Sequence, residues 1–398
     1  MDVVIVGAAR TPIGRYGGAF RQVHPAELGA VATRAALARA GVDPSDVDQV
    51  FIGHARQAGS GPNPGRQVVR RAGLADSVPG QTINMACASS LQAVVAAAQT
   101  ILSGDADVAV AGGIESMSRM PYLVDSEDAR WGHRLGNFSF VDAMYRDGFT
   151  CSLSGMIMGE TAELLARQYG ITREASDAYA LETQRRAGAA IAAGRFTDEI
   201  APVTVADSKG REIAVAADEH PRPDTTIDQL RKLAPVFGNV GGHPGIITAG
   251  TSSGITDGGA ALVFASARKA ADEGWTPLAR LTGWAAAGVD PRVMGIGPVP
   301  AMRKLFARTG LSIADFDLVE LNEAFAAQVL AVLRDEPIPP EKLNVNGGAI
   351  ALGHPIGCTG ARLLVTLLYE MRRRQAARGL ATLCVSGGMG MALAIERL

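Results

Sequence analysis

A cysteine at position 87 stands where the sequence predicts the start of a helix. Cys87 opens the stretch CASSLQAVVAAAQTIL, whose apolar residues recur at the three-four spacing of one helix face. Unpaired backbone N–H groups and the positive end of a helix dipole stabilise a thiolate, so we expect the pKa of Cys87 to lie below the free-thiol value of about 8.5. This setting suits a nucleophile. The alternative is a small buried apolar residue, as most free cysteines are.

A histidine at position 354 is a candidate general base. It lies in GGAIALGHPIGCTG, where five glycines surround it and Gly353 and Pro355 restrict its backbone. Glycines leave room for a ligand or another backbone segment to approach closely. A lone histidine is more often a packing residue, and that is the default interpretation of the other five histidines.

Two further candidate residues lie at the ends of predicted buried strands. Cys384 lies at the end of LATLCV, just before a Gly-Gly turn, and Asn322 follows DLVEL. Strand ends are where α/β proteins place their sites, so Cys384 is a candidate site residue. On the pattern alone, the expected role of Asn322 is the N-cap of the helix EAFAAQVLAVL.

Composition limits the class of protein. A chain of 398 residues exceeds a single core, and a formal net charge of −2 gives no reason to expect nucleic acid or an anionic membrane surface as a partner. The N-terminus lacks a basic segment followed by a long apolar one, and we expect no apolar stretch long enough to span a bilayer. Four cysteines without a CxxC pair argue against a disulfide framework and a zinc site. The sequence predicts a cytoplasmic protein without a metal.

Alternating strand and helix patterns predict an α/β fold, and part of the pattern occurs twice. Residues 38–55 match residues 307–324 at seven of eighteen positions, with the same apolar spacing. A helix, a strand and a Gly-Gly turn follow in both cases, as CASSLQAVVAAAQTILSGDADVAVAGG and as GCTGARLLVTLLYEM…LATLCVSGG. Residues 121–249 are richer in polar, aromatic and Pro-Gly segments, which indicates an inserted lobe.

Together these segments resemble the signature blocks of the thiolase family along almost the whole chain. The matching blocks are RTPIGRYGGAF, GPNPGRQ, NMACASSLQAV, AGGIESMS, MGETAE, TAGTSSGITDGGAA, LNEAFA, NVNGGAIALGHPIGCTGARLLVTLLYEM and LCVSGGMGMALAIERL. The resemblance implies two βαβαβαββ halves in a five-layered α/β/α/β/α sandwich. It places the N-terminal half at 1–120 and 250–271, a loop domain for coenzyme A binding and oligomer contacts at 121–249, and the C-terminal half at 272–398.

The resemblance also implies roles for the candidate residues. Cys87 would be the nucleophile that carries the acyl thioester, and His354 the base that activates it and contributes to an oxyanion hole. Cys384 would be the second acid and base, and Asn322 would hold an oxyanion-hole water. The backbone N–H of Ser386 would serve a second oxyanion hole, although the family usually has glycine at this position.

Coenzyme A would be a substrate and product, with no permanently bound cofactor. The implied contacts with acyl-CoA substrates are Met158, Arg222, Phe237, Ser253, Ala324 and Phe325. Short-chain biosynthetic members often have histidine where this chain has Ile157, serine at Gln229, and Asn-Ala-Ser-Gly at residues 251–254. These departures leave the acyl-chain length open. Family habit implies a homodimer or homotetramer.

The implied function is reversible thiolysis of 3-ketoacyl-CoA or condensation of two acetyl-CoA molecules, through an acyl-cysteine and a ping-pong mechanism. The resemblance therefore implies an acyltransferase of fatty acid metabolism. Two alternatives remain open at this point. One is a decarboxylating condensing enzyme of the ketoacyl synthase type, which Cys384 in LCVSGGMG disfavours. The other is a thiolase-like lipid carrier without catalysis, which would be expected to lose the reactive residues.

Overall fold

The computed structural model describes residues 2–207 and 209–398 and has the alternating α/β organisation predicted above. In chain order its α-helices are α1 (Pro25–Ala40), α2 (Pro64–Arg71), α3 (Ser89–Ser103), α4 (Met158–Gln168), α5 (Arg173–Ala192), α6 (Ile227–Arg231), α7 (Ala267–Asp272), α8 (Pro298–Thr309), α9 (Ala326–Asp335), α10 (Ala349–Leu352) and α11 (Thr359–Arg374).

The long strands all lie outside residues 121–249. In chain order the strands are β1 (Val3–Arg10), β2 (Gly14–Arg15), β3 (Gln49–Gly53), β4 (Gly80–Ile83), β5 (Val108–Ser116), β6 (Tyr122–Leu123), β7 (Val141–Asp142), β8 (Val203–Ala206), β9 (Glu212–Val215), β10 (Asn239–Val240), β11 (His243–Pro244), β12 (Thr256–Ser266), β13 (Ala279–Gly288), β14 (Leu318–Leu321), β15 (Arg378–Val385) and β16 (Met389–Arg397).

The main sheet contains the same strand arrangement twice. Its order is β14-β15-β16-β13-β1-β12-β5-β3-β4, with β2 beside β12. In the first half β3 is parallel to β5, and β12 is antiparallel to β5 and β1. In the second half β14 is parallel to β15, and β16 is antiparallel to β15 and β13. The two copies join where β1 pairs with β13.

The repeat seen in the sequence corresponds to a repeat in structure. Helices α1 and α8 both end at a glycine in the left-handed region, Gly41 with φ 67° and Gly310 with φ 72°. Glycine adopts this conformation without the steric cost of a Cβ atom. Each helix is followed by a one-turn 3-10 helix and then by a buried strand, β3 or β14.

Helices α3 and α11 share one hydrophobic core between the halves. This core contains Leu91 and Ile101 of α3, Leu364 and Leu368 of α11, and residues of β5 and β15. Both helices are therefore fixed by residues from both copies of the repeat. The N-terminal ends of these two helices carry the segments of Cys87 and His354.

Residues 121–249 contain elements that lie outside the main sheet. They include α4, α5 and α6 and three two-stranded sheets, β6–β7, β8–β9 and β10–β11. This fits an inserted lobe, while the predicted domain boundaries and the five-layer count stay predictions.

One apolar segment requires a correction to the sequence analysis. Within the described residues, Ala86–Ser103 is long and apolar enough to cross a membrane by length and composition, although we expected no such stretch. Its apolar character has another explanation, since 56% of this window is buried and α3 packs in the shared core.

Two neighbouring residues of α3 provide a test of this core. Ile101 is 0% exposed and Leu102 is 45% exposed. We expect Ile101→Ala to lower the free energy of unfolding by about 2–5 kcal/mol, because it removes buried methyl groups and leaves a cavity. Leu102→Ala should cost less than about 1 kcal/mol. Urea unfolding of both variants measures the difference, and equal losses would contradict the assigned core.

Candidate active site

The predicted site residues lie on segments from both halves. Asn322 follows β14 and Cys384 lies near the end of the adjacent β15, and the backbone N–H of Asn322 donates to the carbonyl of Thr382 at 2.9 Å. His354 follows α10, and its ring Nε2 is 3.4 Å from Nδ2 of Asn322. Cys87 lies in the turn before α3, where the Ser386 backbone N–H is directed at its sulfur. The structure thus brings together the five residues with predicted catalytic roles.

Cys87 is held on a tight turn. The preceding Ala86 has φ 46°, a left-handed conformation that non-glycine residues rarely adopt. The Asn84 side chain accepts from the Ala86 N–H at 2.9 Å, and the Ser89 hydroxyl donates to the Ala86 carbonyl at 2.6 Å. A strained backbone conformation of this kind is kept only where surrounding contacts hold it in place, and it occurs often at functional sites.

The predicted pKa of Cys87 is wrong in direction. Burial raises the pKa of the Cys87 thiol, and the opposing contributions of the Ser386 N–H and of the Arg56 cation do not offset it. The sequence pattern indicated a helix terminus but could not show desolvation, which disfavours the charged thiolate. The α-helix also begins only at Ser89, two residues further along. Cys87 is therefore a thiol at neutral pH and needs a base.

His354 is a neutral imidazole in this site. Burial lowers its pKa to about 3, with Arg362 and Arg56 acting in the same direction. Its Nδ1 is 2.6 Å from the Thr359 hydroxyl, which itself donates to the carbonyl of Pro355 at 3.0 Å. The single proton of the Thr359 hydroxyl is used in its bond to Pro355, so the hydroxyl oxygen must accept from His354. The ring proton is therefore on Nδ1, and the lone pair is on Nε2. Nε2 is then available as a base.

Asn322 does not cap a helix, which was its alternative interpretation. Helix α9 begins at Ala326 after the N-cap Phe325. The Asn322 side chain is buried, and its Oδ1 has no hydrogen-bond partner among the described residues. A buried polar atom without a partner is costly, so a water or substrate group at this position would be stabilised.

Sequence reasoning missed Glu323, the residue that links Asn322 to the histidine segment. This buried carboxylate accepts from the Tyr179 hydroxyl at 2.8 Å, from Asn344 Nδ2 at 2.9 Å and from the Ile350 N–H at 3.2 Å. These contacts connect the end of β14 to α10 and to α5 of the middle segment. A charged residue inside the apolar context of LNEAFA was the available signal, because buried carboxylates require partners.

Cys384 is the more deeply buried of the two site cysteines. It is 1% exposed, and burial raises the pKa of its thiol far above the usual range. It pairs with Gly390 across the β15–β16 hairpin, whose turn contains Ser386 and two glycines with positive φ. A thiol in this environment can give a proton to a carbanion and take it back, while a persistent thiolate is disfavoured.

Five of the six predicted coenzyme A contacts lie near Cys384. Met158, Ala324 and Phe325 pack with it, and the Ser253 N–H donates to the carbonyl of Ala324 at 3.0 Å. Phe237 packs against the same apolar cluster as Phe325. These five residues form what we call the Cys384 wall.

Arg222 is not part of that group. Its side chain is exposed, and its backbone N–H donates to Gln184 Oε1 at 2.9 Å. An exposed guanidinium can bind a phosphate group that approaches from solvent.

A second apolar cluster packs against Cys87. Its members are Ala55, Met117, Met120, Met144, Phe149, Ile255 and Ile356, and we call them the Cys87 cluster. They come from both halves and from the middle segment. Methionine is flexible and polarizable, so this surface can accommodate apolar groups of different shapes.

The remaining cysteines differ from the two site cysteines. Cys358 is buried in the shared core, where burial raises its pKa to about 12, in keeping with its interpretation as a packing residue. Cys151 is buried in the middle segment; burial raises its pKa, but hydrogen bonds from Ser154 produce a net lowering.

Comparison with known proteins identifies the family. The family model for the thiolase N-terminal domain matches residues 3–268, and that for the thiolase C-terminal domain matches residues 275–397. The chain therefore belongs to the thiolase family, and the predicted thiolase fold is confirmed.

Individual relatives match over the full chain. The acetyl-CoA acetyltransferase of Chromobacterium violaceum is 50% identical over 397 residues and covers 100% of both chains. The Escherichia coli protein of the same name is also 50% identical, covering 100% of this chain and 99% of its own.

Solved structures of thiolases have the same fold along the whole chain. The Bacillus anthracis acetyl-CoA acetyltransferase has a TM-score of 0.96 at 45% identity, covering 100% of this chain and 99% of its own. Human mitochondrial 3-ketoacyl-CoA thiolase in complex with CoA has a TM-score of 0.94 at 41% identity, covering 100% and 98%.

The protonation states lead to a prediction for alkylation. Since the pKa of Cys87 is raised and His354 is already neutral, iodoacetamide labelling of Cys87 should accelerate steadily from about pH 6 to about pH 9. Peptide mapping at each pH separates Cys87 from Cys151, and a Cys87→Ser variant gives the background. A rate that levels off between about pH 6 and about pH 8 would instead indicate a resting thiolate–imidazolium pair.

The Thr359 hydroxyl leads to a second prediction. Thr359→Val keeps the shape but leaves Nδ1–H of His354 without its acceptor, so the ring loses its fixed orientation. We expect kcat for thiolysis to fall at least about tenfold, part of the about 10²–10⁴ that a positioned base contributes. Thr359→Ser should restore most of kcat, with KM little changed in both variants. Equal losses in the valine and serine variants would show that the hydroxyl is not the feature that matters.

Proposed function

We propose that this chain is a thiolase that transfers acyl groups between Cys87 and coenzyme A. It cleaves 3-ketoacyl-CoA to acetyl-CoA and a shortened acyl-CoA, and in reverse condenses two acetyl-CoA molecules to acetoacetyl-CoA. The observation that carries the proposal is one site that combines two buried or half-buried thiols, Cys384 and Cys87, with a His354 ring whose Nδ1–H is bound by Thr359, so that Nε2 has the lone pair that accepts a proton. The full-length match to acetyl-CoA acetyltransferases supports it.

Acylation begins with proton transfer from Cys87 to Nε2 of His354. The sulfur then attacks the 3-keto carbon, and the negative charge that develops on the keto oxygen is stabilised by His354 and by a water held at Asn322. Breaking the C2–C3 bond leaves an acyl-Cys87 and the enolate of acetyl-CoA, which takes a proton from Cys384. The unpartnered Oδ1 of Asn322 supports this water position.

Release of the acyl group repeats the chemistry with coenzyme A. The coenzyme A thiol gives its proton to the Cys384 thiolate left by the first half and attacks the thioester carbon of acyl-Cys87. As the C–S bond to Cys87 breaks, the His354 imidazolium returns its proton to the Cys87 sulfur, so all three groups regain their resting protonation states. The backbone N–H groups of Cys87 and Ser386 would stabilise this second oxyanion. The Cys384 wall would contact the pantetheine arm of coenzyme A, which carries the thiol. Arg222 would bind one of the phosphates of coenzyme A.

The two alternative functions are less well supported. A decarboxylating condensing enzyme would not require Cys384, which lies buried against the Cys384 wall. A carrier without catalysis would not require a tautomer of His354 set by Thr359. Incubation with acetoacetyl-CoA and coenzyme A, following the loss of the enolate absorbance, tests the proposal. If the wild-type protein caused no coenzyme A-dependent loss of this absorbance, the proposal would be contradicted.

The roles of the two cysteines can be separated by substitution. Cys384→Ala removes the base for the methyl group of acetyl-CoA but leaves Cys87 and His354 in place. Proton exchange between that methyl group and D₂O should fall by about 10²–10⁴, whereas acetylation of Cys87 should continue at a slower rate.

Mass spectrometry measures both steps in the same samples. It records deuterium in acetyl-CoA and the acetyl group on the Cys87 peptide. Cys358→Ala provides the matched control, because this thiol lies in the core and should not affect either step. Exchange at the wild-type rate in Cys384→Ala would make another residue the carbon base.

A homodimer or homotetramer is the proposed assembly. Strand β4 is at the end of the main sheet, and its outer edge has no strand partner among the described residues. Open edges invite pairing with a second copy. Large apolar side chains of residues 122–145 are also exposed, namely Tyr122, Trp131, Leu135, Phe138, Phe140, Val141 and Tyr145. Light scattering after size-exclusion chromatography measures the mass, and a monomer would contradict this assembly.

A cytoplasmic location and a role in fatty acid metabolism stay predictions from the sequence.

A further inference from the structure

Arg56 is a buried cation without a carboxylate partner among the described residues. Its side chain is 8% exposed. Nη1 donates to the carbonyl of Asp147 at 2.7 Å and Nη2 to the carbonyl of Gly148 at 2.6 Å, while Nε is buried without a partner. A guanidinium has five N–H donors, so these two bonds leave much of its capacity unused. Buried arginines are rarely found without an anion.

The buried carboxylate of Glu115 does not supply that anion. It accepts from the backbone N–H of Arg56 at 3.3 Å and from the Gly357 N–H at 2.8 Å, and His54 Nε2 lies 3.1 Å from it. Its hydrogen bonds thus come from two backbone N–H groups and not from the guanidinium. Asp147 contacts Arg56 only through its carbonyl, and its carboxylate is exposed.

Arg56 adjoins the cluster that surrounds the nucleophile. Its neighbour Ala55 belongs to the Cys87 cluster, and so does Phe149, the neighbour of the Gly148 that Arg56 binds. A Cβ atom added to Gly148 would lie 3.2 Å from Nε of Arg56, so the guanidinium is directly beside this segment. Its positive charge also acts on Cys87, where it partly opposes the burial that raises the pKa of that thiol.

We propose that Arg56 binds a carboxylate at the end of the acyl chain, so that the enzyme prefers 3-ketoacyl-CoA substrates derived from dicarboxylic acids. This inference rests on the proposed thiolase function. An acyl group on Cys87 extends into the Cys87 cluster, and a terminal carboxylate would reach the donors that Arg56 leaves unused. The arginine assigned above to a phosphate of coenzyme A is the exposed Arg222, whereas Arg56 is buried. A charge-assisted, desolvated pair favours a charged substrate strongly over a neutral one of equal length.

Two matched substrate pairs test the inference. 3-Ketoadipyl-CoA is compared with 3-ketohexanoyl-CoA, and the eight-carbon dicarboxylic substrate 3-ketosuberyl-CoA with 3-ketooctanoyl-CoA. In wild type we expect kcat/KM to be at least about tenfold higher for the charged member of one or both pairs. Arg56→Leu should lower this charged-to-neutral ratio at least about thirtyfold, and Arg56→Lys should keep part of it, since the charge remains.

Ratios within one variant are independent of the fraction of folded enzyme, so a destabilised Arg56→Leu still gives a valid result. Arg70→Leu is the matched control, because it removes an exposed arginine that pairs with Asp76 and should leave the ratio unchanged. A wild-type preference for the neutral member at both lengths would overturn the inference. So would an equal loss for both members in Arg56→Leu, which would make Arg56 an electrostatic or structural support of Cys87.

Failure of the proposed function gives a different result. In that case the wild-type protein shows no thiolysis of any of these substrates or of acetoacetyl-CoA. Activity with acetoacetyl-CoA and no preference for the charged substrates would contradict only the role of Arg56.

Discussion

Desolvation at the junction of the two halves determines the chemistry of the site. It raises the pKa of Cys87 and Cys384 and lowers that of His354 to about 3, so all three groups are neutral before substrate arrives. A neutral imidazole can accept a proton, and thiols can give one. Because Cys384 and His354 are buried, the negative charges that form beside them during the reaction interact strongly with the oriented donors of the site.

Buried carboxylates hold the loops that position these groups. Glu323 connects the end of β14 to α10 and α5, and Glu115 connects the segment of Arg56 to the segment of Gly357, just after His354. The catalytic side chains lie in turns rather than within long elements, so helix and strand geometry alone would not fix them. Loss of either carboxylate would leave several buried N–H or O–H donors unpaired at once, each at a cost of about 1–3 kcal/mol.

The sequence predicted the features that depend on local pattern. The repeat, the strand ends that carry Asn322 and Cys384, and the glycine-rich segment of His354 could all be recognised because periodicity and glycine spacing are local properties. The pKa of Cys87 was predicted wrongly, since its burial depends on residues from both halves. Thr359, Glu323 and Arg56 were missed for the same reason: their contacts join segments far apart in the chain, and no local pattern reveals which buried group lacks a partner.

The charges around the site are asymmetric in a way that suits its reaction. Arg56 and Arg362 both disfavour a protonated His354, and Arg56 favours a thiolate at Cys87. No positive charge can therefore rest on the imidazole before an anion is present. When the thiolate or an oxyanion forms, that anion stabilises the imidazolium, and the two charges appear together. Proton transfer is thereby coupled to bond formation, because neither charge is stable in the desolvated site without the other.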